Sequence, residues 1–153
     1  MRLTEAQKLI DLVLANLAPY IVKSTAVGSV RRKQEEIGDL DILIEIKEQD
    51  VERVKYACRR FATLHSGGTR KLRLGNLFGT KAEMDIWLTY PPRNFYALQA
   101  IFTGPDHVTI KLRENLERKG VKRPHAKLPV RSEEEYFKLA GLDYLPPEDR
   151  HTL

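Results

Sequence analysis

The chain has 153 residues, of which 42% are hydrophobic and 31% charged, enough apolar material for one domain-sized core and too much for a disordered protein. Its 26 Lys and Arg against 21 Asp and Glu leave a net charge of +5, a modest excess that favours an anionic partner without naming it. The lone cysteine, Cys58, excludes an intramolecular disulfide and reads as a small buried hydrophobe. No apolar run approaches the roughly 20 residues that span a bilayer. The start, MRLTEAQK, lacks the apolar core of a signal peptide. A cytoplasmic, nucleoid or virion-associated monomer is expected, neither secreted nor membrane-bound.

Thr4 and Gln7 have the spacing of a capping box, and Leu9, Ile10, Val13, Leu14 and Leu17 repeat at helical spacing until Pro19. Residues 21–27 suit a short strand or an extended linker. A strand is predicted over 39–46, then a helix capped by Asp50 with Val51, Val54, Cys58 and Phe61 on one face. Ser66-Gly67-Gly68 reads as a turn. Strands are predicted over 70–74 and 82–89, and helices over 94–102 and 106–119, with breaks at Pro91-Pro92 and Gly104-Pro105. Between Arg93 and Arg131 nine Lys and Arg face three acids, so the basic excess concentrates there. A last helix is expected from the Ser132-Glu133-Glu134-Glu135 start through Tyr136 to Ala140. This order implies an α+β fold, a mixed or antiparallel sheet with flanking helices, followed by a smaller basic subdomain.

The chemistry concentrates in two strands and one loop. Asp39 and Asp41 share a strand face while Leu40, Ile42 and Ile44 fill the other. Two such carboxylates repel unless a cation joins them, and a hard divalent ion, Mg²⁺ or Mn²⁺, is the natural partner. Two solvated acids at a strand edge are the plainer alternative. Asp85, in Glu83-Met84-Asp85-Ile86-Trp87-Leu88, changes the balance, because pairing of the two strands lets it face the other two aspartates. Three carboxylates can then hold two ions about 3.5–4 Å apart, as in phosphoryl transfer. Upstream, Gly28-Ser29 offers a turn whose amides and hydroxyl approach phosphate, and Arg32 or Arg31 offers a bidentate clamp.

Gly28-Ser29, nine residues, then Asp39-Leu40-Asp41 resembles the active-site signature of family X DNA polymerases within the nucleotidyltransferase superfamily. His65 to Lys71, Met84-Asp85-Ile86, Phe102-Thr103-Gly104-Pro105 and Gly141 to Arg150 resemble further segments of that family, in the same order. The resemblance spans roughly residues 24–150 and implies a palm over 1–91 and a thumb-like part over 92–153, with no lyase or fingers domain expected. It implies that Asp39, Asp41 and Asp85 bind two metal ions and carry catalysis. It places Gly28, Ser29, Arg32 and Gly38 at the triphosphate, and Phe102, Thr103 and Gly104 against the sugar. Asp106, Thr109 and Arg113 then fall on a helix facing the nascent base pair.

Lys111, Arg113, Arg118, Lys119, Lys122, Arg123 and Lys127, with Arg131, are expected to contact DNA phosphates. Solvated surface charges are the alternative for them, as an ordinary core aromatic is for Phe102. The implied reaction adds dNTPs to a primer 3′-hydroxyl on primer-template or gapped DNA. Three positions depart from the resembled pattern: Ile101 and Thr109, which leave sugar selection and minor-groove contact open, and Glu83, an acid where the family has a cation. A nucleotidyltransferase with a protein, RNA or small-molecule acceptor, and a non-catalytic DNA-end binder, are the two rival readings.

Overall fold

The computed structural model describes residues 1–153. The molecule is α+β, with a five-stranded mixed sheet flanked by helices and a second helical layer beyond it. In chain order, helix α1 spans Leu3–Leu17, strand β1 Lys23–Ala26, the one-turn helix α2 Gly28–Arg31, strand β2 Leu40–Glu45 and helix α3 Val51–Cys58. Strands β3 at Thr63–Gly67, β4 at Lys71–Gly75 and β5 at Met84–Thr89 complete the sheet. Helices α4 at Phe95–Thr103, α5 at Asp106–Arg118 and α6 at Glu133–Leu139 follow.

The sheet order is β1-β2-β5-β4-β3, and only β2 and β5 run parallel. One sheet face is apolar for the reason that strand alternation dictates. Leu40, Ile42 and Ile44 from β2, Ile86 and Leu88 from β5, and Leu72 and Leu74 from β4 are 0–1% exposed. They pack against Ile10, Val13 and Leu17 of α1 and Val54 and Cys58 of α3 in one core. Each such side chain contributes about 1.5–3 kcal/mol by leaving water.

The opposite face begins with the carboxylates and continues to Leu43, over which Phe95 and Leu98 of α4 close with Val27. A second core joins Ala97 and Ala100 of α4 to Val108, Leu112 and Leu116 of α5 and Tyr136 and Phe137 of α6. Ser132 caps α6 by accepting from the Glu135 amide at 3.1 Å, and Asn94 caps α4 by accepting from the Ala97 amide at 2.9 Å.

Three local expectations need correction. Thr4 does not cap α1, which already begins at Leu3. The Leu3 amide donates to the Glu35 carbonyl at 3.2 Å and the N-terminal amine to the Ile37 carbonyl at 2.8 Å, so the chain start is pinned and Thr4 is drawn into the helix. Asp50 makes no cap for α3; its carboxylate binds Arg53 at 2.7 Å. The segment read as a turn at Ser66-Gly67 belongs to β3, an exposed edge strand paired only with β4. Its composition, Thr-Leu-His-Ser-Gly, carries little apolar alternation because side chains on both of its faces are largely exposed.

Arg150 is the largest fully buried side chain, and its charge is met by Glu133 of α6, itself 4% exposed. The other Glu133 oxygen lies 2.7 Å from Arg31, which follows Gly28-Ser29-Val30. A buried ion triad, Arg150–Glu133–Arg31, therefore fastens the second helical layer to the loop beside the carboxylates. Arg150 also lies over the rings of Phe137 and Tyr144, at 4.8 and 5.4 Å.

Candidate active site

The parallel pairing of β2 with β5 sets Asp41 directly opposite Asp85 on the polar sheet face. Asp39 lies just before β2 and is half-exposed, whereas Asp85 is only 14% exposed. Asp41 is pushed up to about 6, first by burial and then by the charges of Asp85 and Asp39. The Trp87 indole and the nearby Arg73 act in the opposite direction.

Arg73 is the residue that sequence reasoning passed over. Its strand β4 pairs antiparallel with β5 so that Arg73 stands opposite Asp85. Its guanidinium donates to Asp85 at 3.1 Å and to Asp39 at 3.3 Å, and is in close contact with Glu83. Glu83, noted as an acid out of place, thus has its own cation. Lys71, two residues earlier on the same face, has its ammonium 3.7 Å from Asp85 and 4.6 Å from the centre of the Trp87 ring. The signal was present in Lys71-Leu72-Arg73-Leu74, whose period-two alternation aims both cations away from the core.

The loop before β2 closes on the carboxylates. Gly28 adopts φ +61°, and a Cβ there would lie 2.8 Å from Asp41 Oδ2, so this position requires glycine twice over. Ser29 follows on α2 with no hydrogen bond from its hydroxyl to other protein groups. Arg32 lies close enough to Asp41 and Asp106 to feel both charges, while burial lowers its pKa. One Arg32 nitrogen donates to the Thr103 carbonyl at 2.6 Å. Arg31 turns inward to Glu133 and to the Thr103 hydroxyl, 2.7 Å away, which leaves Arg32 as the arginine of the pair at the carboxylates. Gly38 has open space where a Cβ would stand.

Of the Phe102-Thr103-Gly104 segment, only Phe102 offers a surface. Its ring stacks on Trp87 at 4.2 Å and 18°, so the aromatic pair walls the site beside Asp41. Thr103 is fully buried, its hydroxyl donating to the Gln99 carbonyl at 2.6 Å while accepting from Arg31. Gly104 adopts φ +65°, with room for a Cβ only 3.2 Å from Arg32. These two residues brace the loop; they present no free polar group. The Thr109 hydroxyl is likewise used, donating to the Ile101 carbonyl at 2.9 Å.

The expected DNA-contacting cations do not form one stripe. Arg113, Lys122 and Arg123 share a cleft of about 410 Å³ with Ile101, Thr109 and His125. Arg118 lies 3.8 Å from Glu114, Lys119 lies against Gly141, and Lys111 is exposed on α5. Lys127 and Arg131 belong to a different cleft, with Lys23 and Arg93. The later part of the loop between α5 and α6 is tied to the start of α4, Asn94 donating to the Ala126 carbonyl at 2.7 Å and to the Val130 carbonyl at 2.9 Å, which sets Lys127 and Arg131 apart from Lys122 and Arg123.

No three His, Cys, Asp or Glu side chains are gathered into a finished metal cage. The donor chemistry nevertheless suits a hard divalent ion: Asp41 stands in register with Asp85, the charges of Asp85 and Asp39 disfavour its ionisation, and Arg73 is the cation that now joins Asp39 to Asp85. No helix is long and apolar enough to cross a membrane. No protein-family model matches the chain, and no curated protein matches it significantly.

Proposed function

We propose that the protein is a nucleotidyltransferase of the family X DNA polymerase type, joining dNTPs to a primer 3′-hydroxyl, with short-gap filling as its setting. The observation that carries this reading is the in-register pairing of Asp41 with Asp85, beside Asp39 and the Gly28-Ser29 turn. Asp39, Asp41 and Asp85 would hold two divalent ions, Mg²⁺ or Mn²⁺. When bound, such ions lower the pKa of the attacking hydroxyl and screen charge on the phosphoryl group and leaving oxygen.

The chain's own residues would do the remainder. Asp85 accepts the proton of the 3′-hydroxyl as its oxygen bonds to the α-phosphorus and pyrophosphate leaves. The unused Arg32 nitrogens and the Gly28-Ser29 amides meet the triphosphate. Phe102, braced by Trp87, packs against the sugar and excludes water from one side.

The test is incorporation on a one-nucleotide-gapped duplex and on a single-stranded primer, with each dNTP or rNTP in Mg²⁺. Extension of the gapped duplex by the complementary dNTP alone, lost in Asp41→Asn, supports the reading. Untemplated addition would indicate a different acceptor, and DNA binding with no transfer a non-catalytic end binder.

A further inference from the structure

At the end of the sheet away from the carboxylates lies a cleft of about 560 Å³, bordered by Lys23, Glu45, Arg93, Tyr96, Lys127 and Arg131. We propose that this cleft is a second anion site that binds the phosphodiester backbone of a nucleic-acid strand. The inference extends the polymerase reading by supplying a grip on nucleic acid outside the active site.

The charges make the case. Four cations drawn from three separate segments converge on a concave surface that holds one carboxylate, Glu45. None of the four side-chain charges lies within ion-pair distance of an acid, although ten other cationic groups of the molecule do. The Glu135 carboxylate accepts only from the Arg131 backbone amide, at 2.9 Å, and the Lys23 ammonium lies 4.7 Å from the centre of the Tyr96 ring. Glu45 is the cross-strand partner of Lys23, yet it pairs with neither Lys23 nor the others. Arg93 is half-buried, repelled by Arg70 and depressed in pKa by both effects. Cations gathered without counter-charges repel one another, and a partner bearing several regularly spaced negative charges relieves that repulsion.

The placement suits a polymer better than a lone phosphate. Asp41 and Glu45 lie on the same face of β2, four residues or about 13 Å apart. Along a duplex axis each strand carries a phosphate about every 3.4 Å, so that separation is about four base pairs of duplex. Helix α4 covers Leu43 between them, which closes the straight path. On the β4 side the exposed Lys71 and Arg70 lead from the carboxylates toward Arg93, which is close enough to Arg70 to feel its charge.

The experiment measures DNA binding by fluorescence anisotropy in EDTA, with a labelled one-nucleotide-gapped duplex and a labelled single strand, across a salt series. The triple variant Arg93→Gln, Lys127→Gln, Arg131→Gln is expected to bind at least tenfold more weakly, with a salt slope shallower by about 2–3 on duplex. Glu45→Gln, which removes the one acid, is expected to bind more tightly, an outcome misfolding cannot mimic. Loss confined to one probe identifies whether duplex or single strand enters the cleft. Unchanged affinity and slope in both variants overturn the proposal. Incorporation by the wild type, assayed in parallel with Mg²⁺, separates the two readings: incorporation with no cleft effect removes only the cleft, and a cleft effect without incorporation removes only the polymerase.

Discussion

Gly28 and Asp41 are in contact through the missing side chain of the glycine: a Cβ would stand 2.8 Å from Asp41 Oδ2, on a backbone at φ +61°. The turn and the carboxylate therefore occupy positions that each permits the other. Gly28→Ala is expected to cost about 1–2 kcal/mol from the left-handed backbone alone, measured by urea unfolding. Because the new methyl displaces Asp41, incorporation should fall by far more than that loss of stability explains. An alanine variant with wild-type incorporation would show that the contact is unimportant.

Asp41 makes a prediction of opposite sign. Its folded value of about 6 exceeds the ordinary carboxylate range, because burial and the charges of Asp85 and Asp39 disfavour ionisation. The folded state thus holds this proton more tightly than the unfolded chain. The associated stability is full below about pH 4 and is lost as pH rises through about 6. In the absence of divalent ions, Asp41→Asn should stabilise the protein at pH 7 by about 1 kcal/mol, the shift being discounted for solvent screening. The same substitution should abolish transfer. Thermal unfolding in EDTA across this pH range checks both the size and the sign.

Much of this site was legible from residue order alone. Asp39, Asp41 and Asp85 each sit in an alternating segment, and alternation assigns faces without knowledge of the partner strand. Leu40, Ile42 and Ile44 fell on the core side for that reason. The parallel register that puts Asp41 beside Asp85 was not legible, because it depends on the path through α3, β3 and β4. Arg73 escaped notice for the same reason: its role exists only once β4 lies against β5. Residue chemistry alone left Arg31 and Arg32 as alternatives and the resemblance singled out Arg32; in the fold Arg31 turns to Glu133, and Arg32 stays near Asp41. β3 was missed because an exposed edge carries no hydrophobic period.

Arg73 and Glu83 form a pair whose variants should act in opposite directions on metal binding. Arg73 now lies among Asp39, Asp85 and Glu83, so an entering cation must compete with it for two of the three acids. Arg73→Ala should lower stability in EDTA and increase the stabilisation that Mg²⁺ or Mn²⁺ confers. Glu83→Gln frees the guanidinium for Asp39 and Asp85 and should weaken divalent binding. Calorimetric titration with Mn²⁺, with no nucleotide or DNA present, reads this directly. Equal affinities in wild type and both variants would show that Arg73 and the metal do not share the carboxylates.

Trp87 is the only tryptophan of the chain, and it joins three parts of the site. Its indole favours the charged form of Asp41, its ring stacks on Phe102 at 4.2 Å and lies under the Lys71 ammonium at 4.6 Å. Its emission should therefore change when a divalent ion engages Asp41, and the response should vanish in Asp41→Asn. Phe102→Ala removes the stacking partner, exposes the indole and should shift its emission to the red before any ligand is added. If Phe102 also packs against the sugar, the variant should accept ribonucleotides more readily. A red shift with unchanged sugar selection would confine Phe102 to holding Trp87, and through it Asp41, in place.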